Sequence, residues 1–292
     1  MNAPATVISK ARPAPPDRSL GAILVDSGKL TVENAEQIIR LQKQQGIRFG
    51  EAAIQLGFLT EDDLQFALSH QYGYPYLRQG ESPVTDEVVA AYQPYSPQVE
   101  GLRALRSQLM LRWFTGEAGG KALAIVSPGR FEGRSYLAAN LAVVFSQLGE
   151  RTLLLDADMR HGRQQQLFGL DNQAGLSTVL AGRGGSIPAQ RVAGLIDLSV
   201  VTAGPTPPNP QELLGRDVFV KLLERLATAF DVIIIDTPGG AGYADAQTIG
   251  ARAGGALLVA RQNVTGLKSA GSFAAGLGQL GTTLVGAVLN HF

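Results

Sequence analysis

Three patterns of apolar and polar positions follow one another along the chain. Between residues 18 and 77, apolar positions recur at helical spacing in short segments that glycine interrupts. Residues 97–114 predict one longer amphipathic helix. From residue 121 onwards, short and almost continuously apolar runs alternate with helical patterns. This alternation predicts a mostly parallel sheet with helices on both faces, because such strands are buried on both sides.

Six apolar runs in the last region have the length of β-strands, and they lie at 122–127, 152–156, 198–202, 232–236, 256–260 and 284–290. Helices are predicted between them at 135–148, 162–168, 217–229, 245–253 and 267–280. The sequence therefore predicts an α/β fold preceded by a small all-helical domain. The predicted division is a disordered leader at 1–17, a helical domain at 18–77, a linker at 78–96 and an α/β domain at 97–292.

The helical region contains an internal repeat with a period of 29 residues. Each copy has a pair of glycines at the same spacing and continues into an amphipathic helix that ends in glutamine. The repeated positions are Gly21, Gly28 and Gln42 in the first copy, and Gly50, Gly57 and Gln71 in the second. Two such units can bury a shared apolar face that one unit alone could not bury.

Composition excludes several classes of protein. Lys and Arg number 25 and Asp and Glu number 25, so no excess charge favours a nucleic acid polymer. Cysteine is absent, which excludes disulfides and thiolate metal sites and fits a cytoplasmic location. No apolar run approaches the roughly 20 residues that cross a bilayer. We therefore expect no direct membrane insertion, and any membrane association should come through a partner.

The turn after the first predicted strand carries an anion-binding pattern, Ser-Pro-Gly-Arg-Phe-Glu-Gly-Arg-Ser, over residues 127–135. A loop between a strand and a helix directs backbone N–H groups and the helix dipole at phosphates. Gly133 allows close approach of the backbone, and Ser135 can place its hydroxyl on Mg²⁺. Arg134 stands where the usual pattern has lysine. An ordinary strand–turn–helix connection is the alternative interpretation.

Two other strand ends supply carboxylates. Asp156 and Asp158 come at the end of the second strand, and Asp236 ends the apolar run that begins at Val232. Ligands on such sheets bind beyond the carboxyl ends of the strands. These acids can hold a Mg²⁺ shell, and one of the first pair can orient an attacking hydroxyl. A helix cap or a solvated turn is the alternative for the first pair.

Together these motifs resemble the bacterial tyrosine kinases, which are relatives of the MinD/ParA ATPases. The resemblance covers about residues 94–292 and rests on Asp-Ala-Asp at 156–158, Asp-Thr-Pro at 236–238, Glu-x-x-Arg-x-x-Arg at 100–106, and the segments 207–214 and 288–290. Arg134 and the ending Asn-His-Phe resemble the EpsG-type kinases of exopolysaccharide systems, which accompany a membrane chain-length determinant.

The resemblance implies a P-loop NTPase fold that uses ATP/ADP and Mg²⁺. It implies catalytic roles for Arg134, Asp156 and Asp158, and metal binding by Ser135, Asp156 and Asp236. The implied nucleotide-binding residues are Gly129, Glu132, Gly133, Arg134, Ser135, Tyr136 and Asn290. Glu100, Arg103 and Arg106 would assemble homo-oligomeric rings, although three charges on one helical face can also be a solvated row of ion pairs.

The implied function is a tyrosine kinase that regulates exopolysaccharide chain length, polymerisation or export. It would be peripheral at the inner membrane through the chain-length determinant. Two departures from the family pattern are Arg134 and the lack of any tyrosine after Tyr243. The closely spaced Tyr72, Tyr74 and Tyr76 lie instead at the end of the helical region, where packing at a domain edge and a relocated phosphosite are the two interpretations. We therefore expect nucleotide binding with slow turnover. A nucleotide-loaded scaffold and a MinD/ParA-like ATPase are the alternatives.

The helical repeat resembles the MshE-N-like domain of type II secretion ATPases, some of which bind cyclic di-GMP. The implied contacts are Leu20, Gly21, Gln42, Arg48, Gly50 and Gln71. Arginine can pair with the edge of guanine, and leucines can cover the purine faces. Ser19 stands where the first copy should have arginine. A small helical adaptor whose leucines form a core is the alternative.

Overall fold

The structure is a computed structural model that describes residues 19–71, 74, 76–115, 119–183 and 186–291, except the side chains of Asp62 and His70. The chain divides into two compact units, Met1–Tyr76 and Leu77–Phe292. The predicted leader and Tyr72 lie outside the described residues. The domain limits predicted from the sequence stay a prediction.

The described part of the first unit contains four helices around a small apolar core. The helices are α1 (Leu20–Asp26), α2 (Val32–Gln45), α3 (Phe49–Gln55) and α4 (Glu61–Gln71). Hydroxyl caps fix their starts: Thr31 accepts a hydrogen bond from the Asn34 N–H, and Thr60 accepts one from the Asp63 N–H. Leu24 and Ile38 lie fully inside the core.

The repeated glycines have the same structural roles in both copies. Gly28 and Gly57 adopt φ values of 71° and 70°, which side-chain-bearing residues rarely adopt, and each turns the chain after a helix. A Cβ on Gly21 would lie 3.2 Å from the Phe49 ring, and one on Gly50 would lie 2.6 Å from Leu64. The repeat therefore encodes turns and close helix packing.

The second unit begins with helices and continues as an α/β fold. Its elements are α5 (Val89–Tyr92), α6 (Pro97–Leu109), a π-helical turn (Met110–Phe114), β1 (Ala122–Val126), α7 (Arg134–Gln147), β2 (Thr152–Asp156), α8 (Gln164–Phe168), α9 (Leu176–Leu180), β3 (Gln190–Arg191), β4 (Leu198–Val201), α10 (Pro210–Gly215), α11 (Asp217–Ala229), β5 (Val232–Asp236), α12 (Asp245–Ala253), β6 (Gly255–Arg261), α13 (Leu267–Gln279) and β7 (Thr283–Asn290).

The sheet has the order β3-β4-β2-β5-β1-β6-β7, and every pair except β3–β4 is parallel. Apolar clusters cover both faces of the central strands β1, β2 and β5. The predicted fold class, a mostly parallel sheet with helices on both faces, is confirmed. The sequence pattern missed the two-residue strand β3, which is too short to show a period. In the described ranges, no helix is long and apolar enough to cross a membrane.

Candidate functional site

The sheet brings the three predicted motifs to one edge. β5 lies between β1 and β2, and the register pairs Asp236 with both Ile125 and Asp156. The loop after β1 therefore faces the carboxylates that end β2 and β5. This is the crevice beyond the strand ends where α/β sheets bind ligands.

The loop between β1 and α7 is held in shape by buried side chains. Gly133, at φ 95°, caps the 14-residue helix α7. Glu132 is 2% exposed, and its carboxylate accepts hydrogen bonds from the Gly129 N–H (2.8 Å) and the Thr265 hydroxyl. The Asn290 amide donates to the Glu132 carbonyl at 3.0 Å. Glu132 and Asn290 thus shape the loop, and their contact with a nucleotide stays a prediction.

Arg134 turns away from solvent and is only 8% exposed. Its Nε donates to the Thr237 carbonyl (2.8 Å), and its Nη1 donates to the Gly129 carbonyl (2.6 Å) and to the Ser127 hydroxyl. Burial lowers the pKa of Arg134, although the nearby carboxylate of Asp236 opposes that effect. The side chain therefore makes its hydrogen bonds to the protein itself.

The carboxylates of β2 are held by backbone donors. Asp156 accepts hydrogen bonds from the N–H groups of Asp158 and Gln164, both at 3.1 Å. Asp158 accepts from the N–H groups of Arg160 (3.1 Å) and His161 (2.8 Å). Asp158 thus caps the turn after β2, as the alternative interpretation expected, and it also lines the cleft described below.

Asp236 lies among the other acids with no exposed surface. Burial raises its pKa from 3.8 to about 6, and hydrogen bonds from Gln164 and Ser135 partly offset that effect. Burial and the charge of Asp236 also raise the pKa of Asp156 well above its usual range. The two carboxylates therefore destabilise each other's charged form, and a nearby cation would relieve that repulsion.

Two buried oxygens at this edge lack a hydrogen-bond partner within the described part of the chain, Asp236 Oδ1 and Gln164 Oε1. Buried acceptors are normally satisfied, so these atoms fit a hydrated cation. The described residues contain no cluster of three or more His, Cys, Asp or Glu side chains that would cage a metal. That arrangement suits Mg²⁺, which usually keeps waters and phosphate ligands beside one or two carboxylates.

Gln164 was not predicted as a site residue. Its Nε2 donates to the Ser135 carbonyl (3.1 Å) and to Asp236 (2.8 Å), while its backbone N–H holds Asp156. It therefore connects α7 to the ends of β2 and β5. The local sequence feature that marks this part of the site is Gly162, two residues before Gln164. A Cβ at Gly162 would lie 2.9 Å from Asp156 Oδ2 and from the Asp158 carbonyl oxygen.

A cleft of about 830 Å³ opens above these groups. Its walls come from the loop, from α7, from β7 and from α6, including Arg130, Phe131, Gly133, Ser135, Tyr136, Gln98, Leu102 and Asn290. The volume suits a ligand of nucleotide size. Of the predicted nucleotide and metal residues, those that line the cleft are Gly133, Arg134, Ser135, Tyr136 and Asn290, whereas Gly129, Glu132, Asp156 and Asp236 are not among its lining residues.

The predicted oligomerisation residues lie on α6 but are not among the residues that line the cleft. Glu100 is exposed and forms an ion pair with Arg103 at 3.1 Å. Arg106 Nη1 donates to the Val144 carbonyl at 2.8 Å. The Glu100–Arg103 contact is therefore the kind of ion pair expected if these charges form a solvated row on one helical face.

The predicted cyclic di-GMP residues are all in the first unit. Arg48 is exposed, and its backbone N–H donates to Glu51 at 3.1 Å. Leu20 packs partly buried against the core of that unit. Gly21 and Gly50 have the packing role described above. The adaptor interpretation therefore accounts for these positions without a ligand.

The sheet order, the loop before α7 and the acids at the strand ends define a P-loop nucleotide-binding protein. No family model matches the chain. Tyrosine-protein kinase YwqD of Bacillus subtilis is 35% identical over 203 residues, which are 70% of this chain and 85% of YwqD. The chain belongs to the bacterial tyrosine kinase family.

Longer relatives match over a smaller share of their length. Tyrosine-protein kinase wzc of Salmonella typhimurium is 34% identical over 204 residues, 70% of this chain, but the match spans only 28% of that protein. The solved kinase domain of Escherichia coli tyrosine kinase ETK superimposes with a TM-score of 0.65 at 34% identity, covering 70% of this chain and 79% of that one. The Pyrococcus furiosus cell division ATPase MinD superimposes with a TM-score of 0.52 at 25% identity, covering 59% and 72%.

Proposed function

We propose that this chain is an ATP-dependent protein-tyrosine kinase that regulates exopolysaccharide chain length, polymerisation or export. One observation carries the proposal: the buried Asp156 and Asp236 end two strands beneath a cleft of nucleotide size that Asp158 lines, and Asp236 Oδ1 has no hydrogen-bond partner within the described residues. Membership of the tyrosine kinase family supports the choice of phosphoryl transfer to tyrosine.

The proposed roles follow from position. Backbone N–H groups of the loop and of the first turn of α7 bind the phosphates of ATP or ADP. Ser135, Asp156 and Asp236 would hold Mg²⁺, which would neutralise charge on the phosphates. Asp158 orients the tyrosine hydroxyl and accepts its proton. The tyrosine oxygen bonds to the γ-phosphorus as the bond to the β–γ bridging oxygen breaks, and ADP leaves.

We expect turnover to be slow, because Arg134 donates its hydrogen bonds to protein carbonyls and a hydroxyl. The proposed partner is an inner-membrane chain-length determinant, which would keep the protein peripheral at that membrane from the cytoplasmic side. Ring assembly through Glu100, Arg103 and Arg106 belongs to the same proposal. The resemblance to EpsG-type kinases supports these finer points.

The test is phosphotyrosine mass spectrometry on the full chain, alone and co-expressed with its membrane partner. We expect phosphotyrosine that increases with the partner and disappears in Asp158→Asn. A chain that binds ATP yet yields no phosphotyrosine under either condition would favour the second candidate, a nucleotide-loaded scaffold. The inward orientation of Arg134 is the observation that favours that candidate.

Oligomeric mass separates the ring from a MinD/ParA-like ATPase. We expect a mass well above that of a dimer with ATP, and a loss of that mass in Glu100→Ala. An ATP-dependent dimer that Glu100→Ala leaves unchanged would support the MinD/ParA-like alternative.

For the first unit we propose a signal-reading role, with cyclic di-GMP as the candidate ligand. The support is the resemblance of its repeat to the MshE-N-like domain, with Arg48 exposed to solvent. Calorimetry with cyclic di-GMP on the full chain and on Arg48→Ala tests it. Absence of heat from the full chain would leave the unit as a helical adaptor.

A further inference from the structure

We propose that Arg130, rather than Arg134, is the side chain that brings positive charge to the phosphates, and that Arg134 is a positioning residue which fixes the loop. This inference rests on the proposed function, because it concerns how the same cleft holds a nucleotide. It reverses the assignment that the usual P-loop pattern suggests, in which the residue before Ser135 contacts the phosphates.

Arg134 joins two loops that follow different strands. Through Ser127 and Gly129 it contacts the loop after β1, and through the Thr237 carbonyl it contacts the loop after β5. A planar fork with several donors suits such multiple contacts, whereas lysine offers one compact group. Arg134 lines the cleft, but its Nε and Nη1 could turn to phosphates there only by breaking these hydrogen bonds.

The loop after β1 and the loop after β5 pack closely against each other. A Cβ on Gly239 would lie 2.5 Å from the Gly129 carbonyl oxygen, and the Gly240 N–H donates to the Ser127 carbonyl at 2.9 Å. The carbonyls of Gly129 and Thr237 both accept from the guanidinium. Arg134 therefore bridges the Gly129 carbonyl, which also accepts from the Ser127 hydroxyl at 2.9 Å, to the Thr237 carbonyl of the other loop.

The other arginines of the cleft have different surroundings. Arg163 donates to both carboxylate oxygens of Glu87, at 2.7 and 2.9 Å. Arg261 donates to the Phe131 carbonyl at 3.3 Å. Within the described part of the chain, Arg130 makes no hydrogen bond or ion pair and stacks 5.4 Å above the Phe131 ring. Arg130 is therefore the cleft arginine whose donors are free for an anion.

The loop tip is built to hold Arg130 at the cleft. Phe131 adopts φ 58°, an uncommon conformation for a residue with a side chain, and the residue is 76% exposed. Strain of this kind persists where the surroundings enforce it, often at ligand sites. The contact from Arg261 to the Phe131 carbonyl fixes the tip, and the ring supports the Arg130 guanidinium.

The experiment measures binding of Mg-ATP and adenosine by calorimetry to the full chain, with thermal unfolding of the nucleotide-free protein beside it. We expect Arg130→Gln to weaken Mg-ATP binding about 10- to 100-fold, the loss typical of a hydrogen bond to a charged group. Adenosine binding and the melting temperature should not change. Arg163→Gln removes the same charge from the same cleft, and we expect less than about threefold weakening because that arginine is already paired.

Arg134→Lys is the complementary variant, because it keeps the charge and loses the fork. We expect its nucleotide-free melting temperature to fall by about 5 °C. Equal ATP affinity in Arg130→Gln and wild type, or an equal loss in Arg163→Gln, would overturn the role of Arg130. An unchanged melting temperature in Arg134→Lys would overturn the role of Arg134. If the wild-type chain binds no Mg-ATP, the proposed function fails first, and this inference fails with it.

Discussion

The two units differ most in what they bury. Among the described residues of the helical unit, the only buried polar side chain is Ser69, while the α/β unit buries Asp156, Asp158 and Asp236 beside Arg134. Buried charge is costly unless it is paired. A packed repeat without buried charge needs no ligand to explain it, whereas a cluster of buried acids does. The difference places the candidate Mg-nucleotide site in the α/β unit.

The largest expected effect tests whether the helical unit is a core of its own. Ile38 is fully buried in it, so Ile38→Ala should destabilise that unit by about 2–5 kcal/mol. We expect earlier unfolding of residues 19–71 by hydrogen exchange, with Mg-ATP affinity unchanged. A parallel loss of ATP binding would mean that the two units fold as one and would contradict the contrast between them.

The second prediction concerns the cost of the buried acids. Burial raises the pKa of Asp236 to about 6 in the folded chain, above the ordinary value of 3.8 that applies to the unfolded chain. The folded chain therefore binds more protons between these values, and its stability should rise as pH falls from about 7 to about 4. Asp236→Asn should make the nucleotide-free protein about 1–3 kcal/mol more stable at pH 7.5 and flatten that rise.

Urea unfolding of both proteins between pH 5 and 8 measures this effect. Asp236→Asn should also lose Mg-dependent nucleotide binding, because the proposed Mg²⁺ ligand is removed. The same carboxylate would then lower stability and support function. A variant less stable than the wild type at pH 7.5 would show that the negative charge of Asp236 is already compensated within the protein.

These acids show how far the sequence predicts the site. Strand ends and acidic residues are local features, so the apolar pattern alone predicts that Asp156 and Asp236 share one edge of the sheet. The direction of Arg134 depends on Ser127 and Thr237, which directly follow two strands separated along the chain. Gln164 likewise gains its role only when β2, β5 and α7 meet. Apart from Gly162, two residues before Gln164, the local pattern carries no such information.

The fold shows the same division. The strong apolar runs predict six of the strands, while β3 depends on pairing with β4 rather than on its own residues. The glycines of the repeat are evident from their spacing, but their contacts with Phe49 and Leu64 come from helices farther along the chain. The periodicity of apolar positions thus predicts helices and strands, whereas the roles of β3 and of the repeat glycines depend on tertiary contacts.

A third prediction tests the packing account of the repeat. Gly50→Ala should destabilise the helical unit by about 1 kcal/mol, because the new Cβ would press on Leu64. Gly278→Ala is the matched control: Gly278 lies in α13 with open space around its Cβ position, and alanine there should stabilise by up to about 1 kcal/mol. Thermal unfolding compares the two. If Gly50→Ala is as stabilising as its control, close packing does not explain this glycine.

The smallest expected effect is at Arg48. Its side chain is exposed and makes no capping hydrogen bond at the start of α3, so Arg48→Ala should change the free energy of unfolding by less than about 0.5 kcal/mol. Chemical denaturation measures the change. A loss above about 1 kcal/mol would show a structural role for Arg48 and would weaken its assignment to a ligand.

The most direct test of the account is calorimetric titration of the wild-type chain with ATP, in the presence of Mg²⁺ and then of EDTA. The buried acids, with Asp236 Oδ1 lacking a hydrogen-bond partner among the described residues, predict saturable binding with Mg²⁺ that becomes much weaker in EDTA and is competed by ADP. Absence of binding with Mg²⁺, or equal affinity in EDTA, would contradict a Mg-nucleotide site at this edge of the sheet.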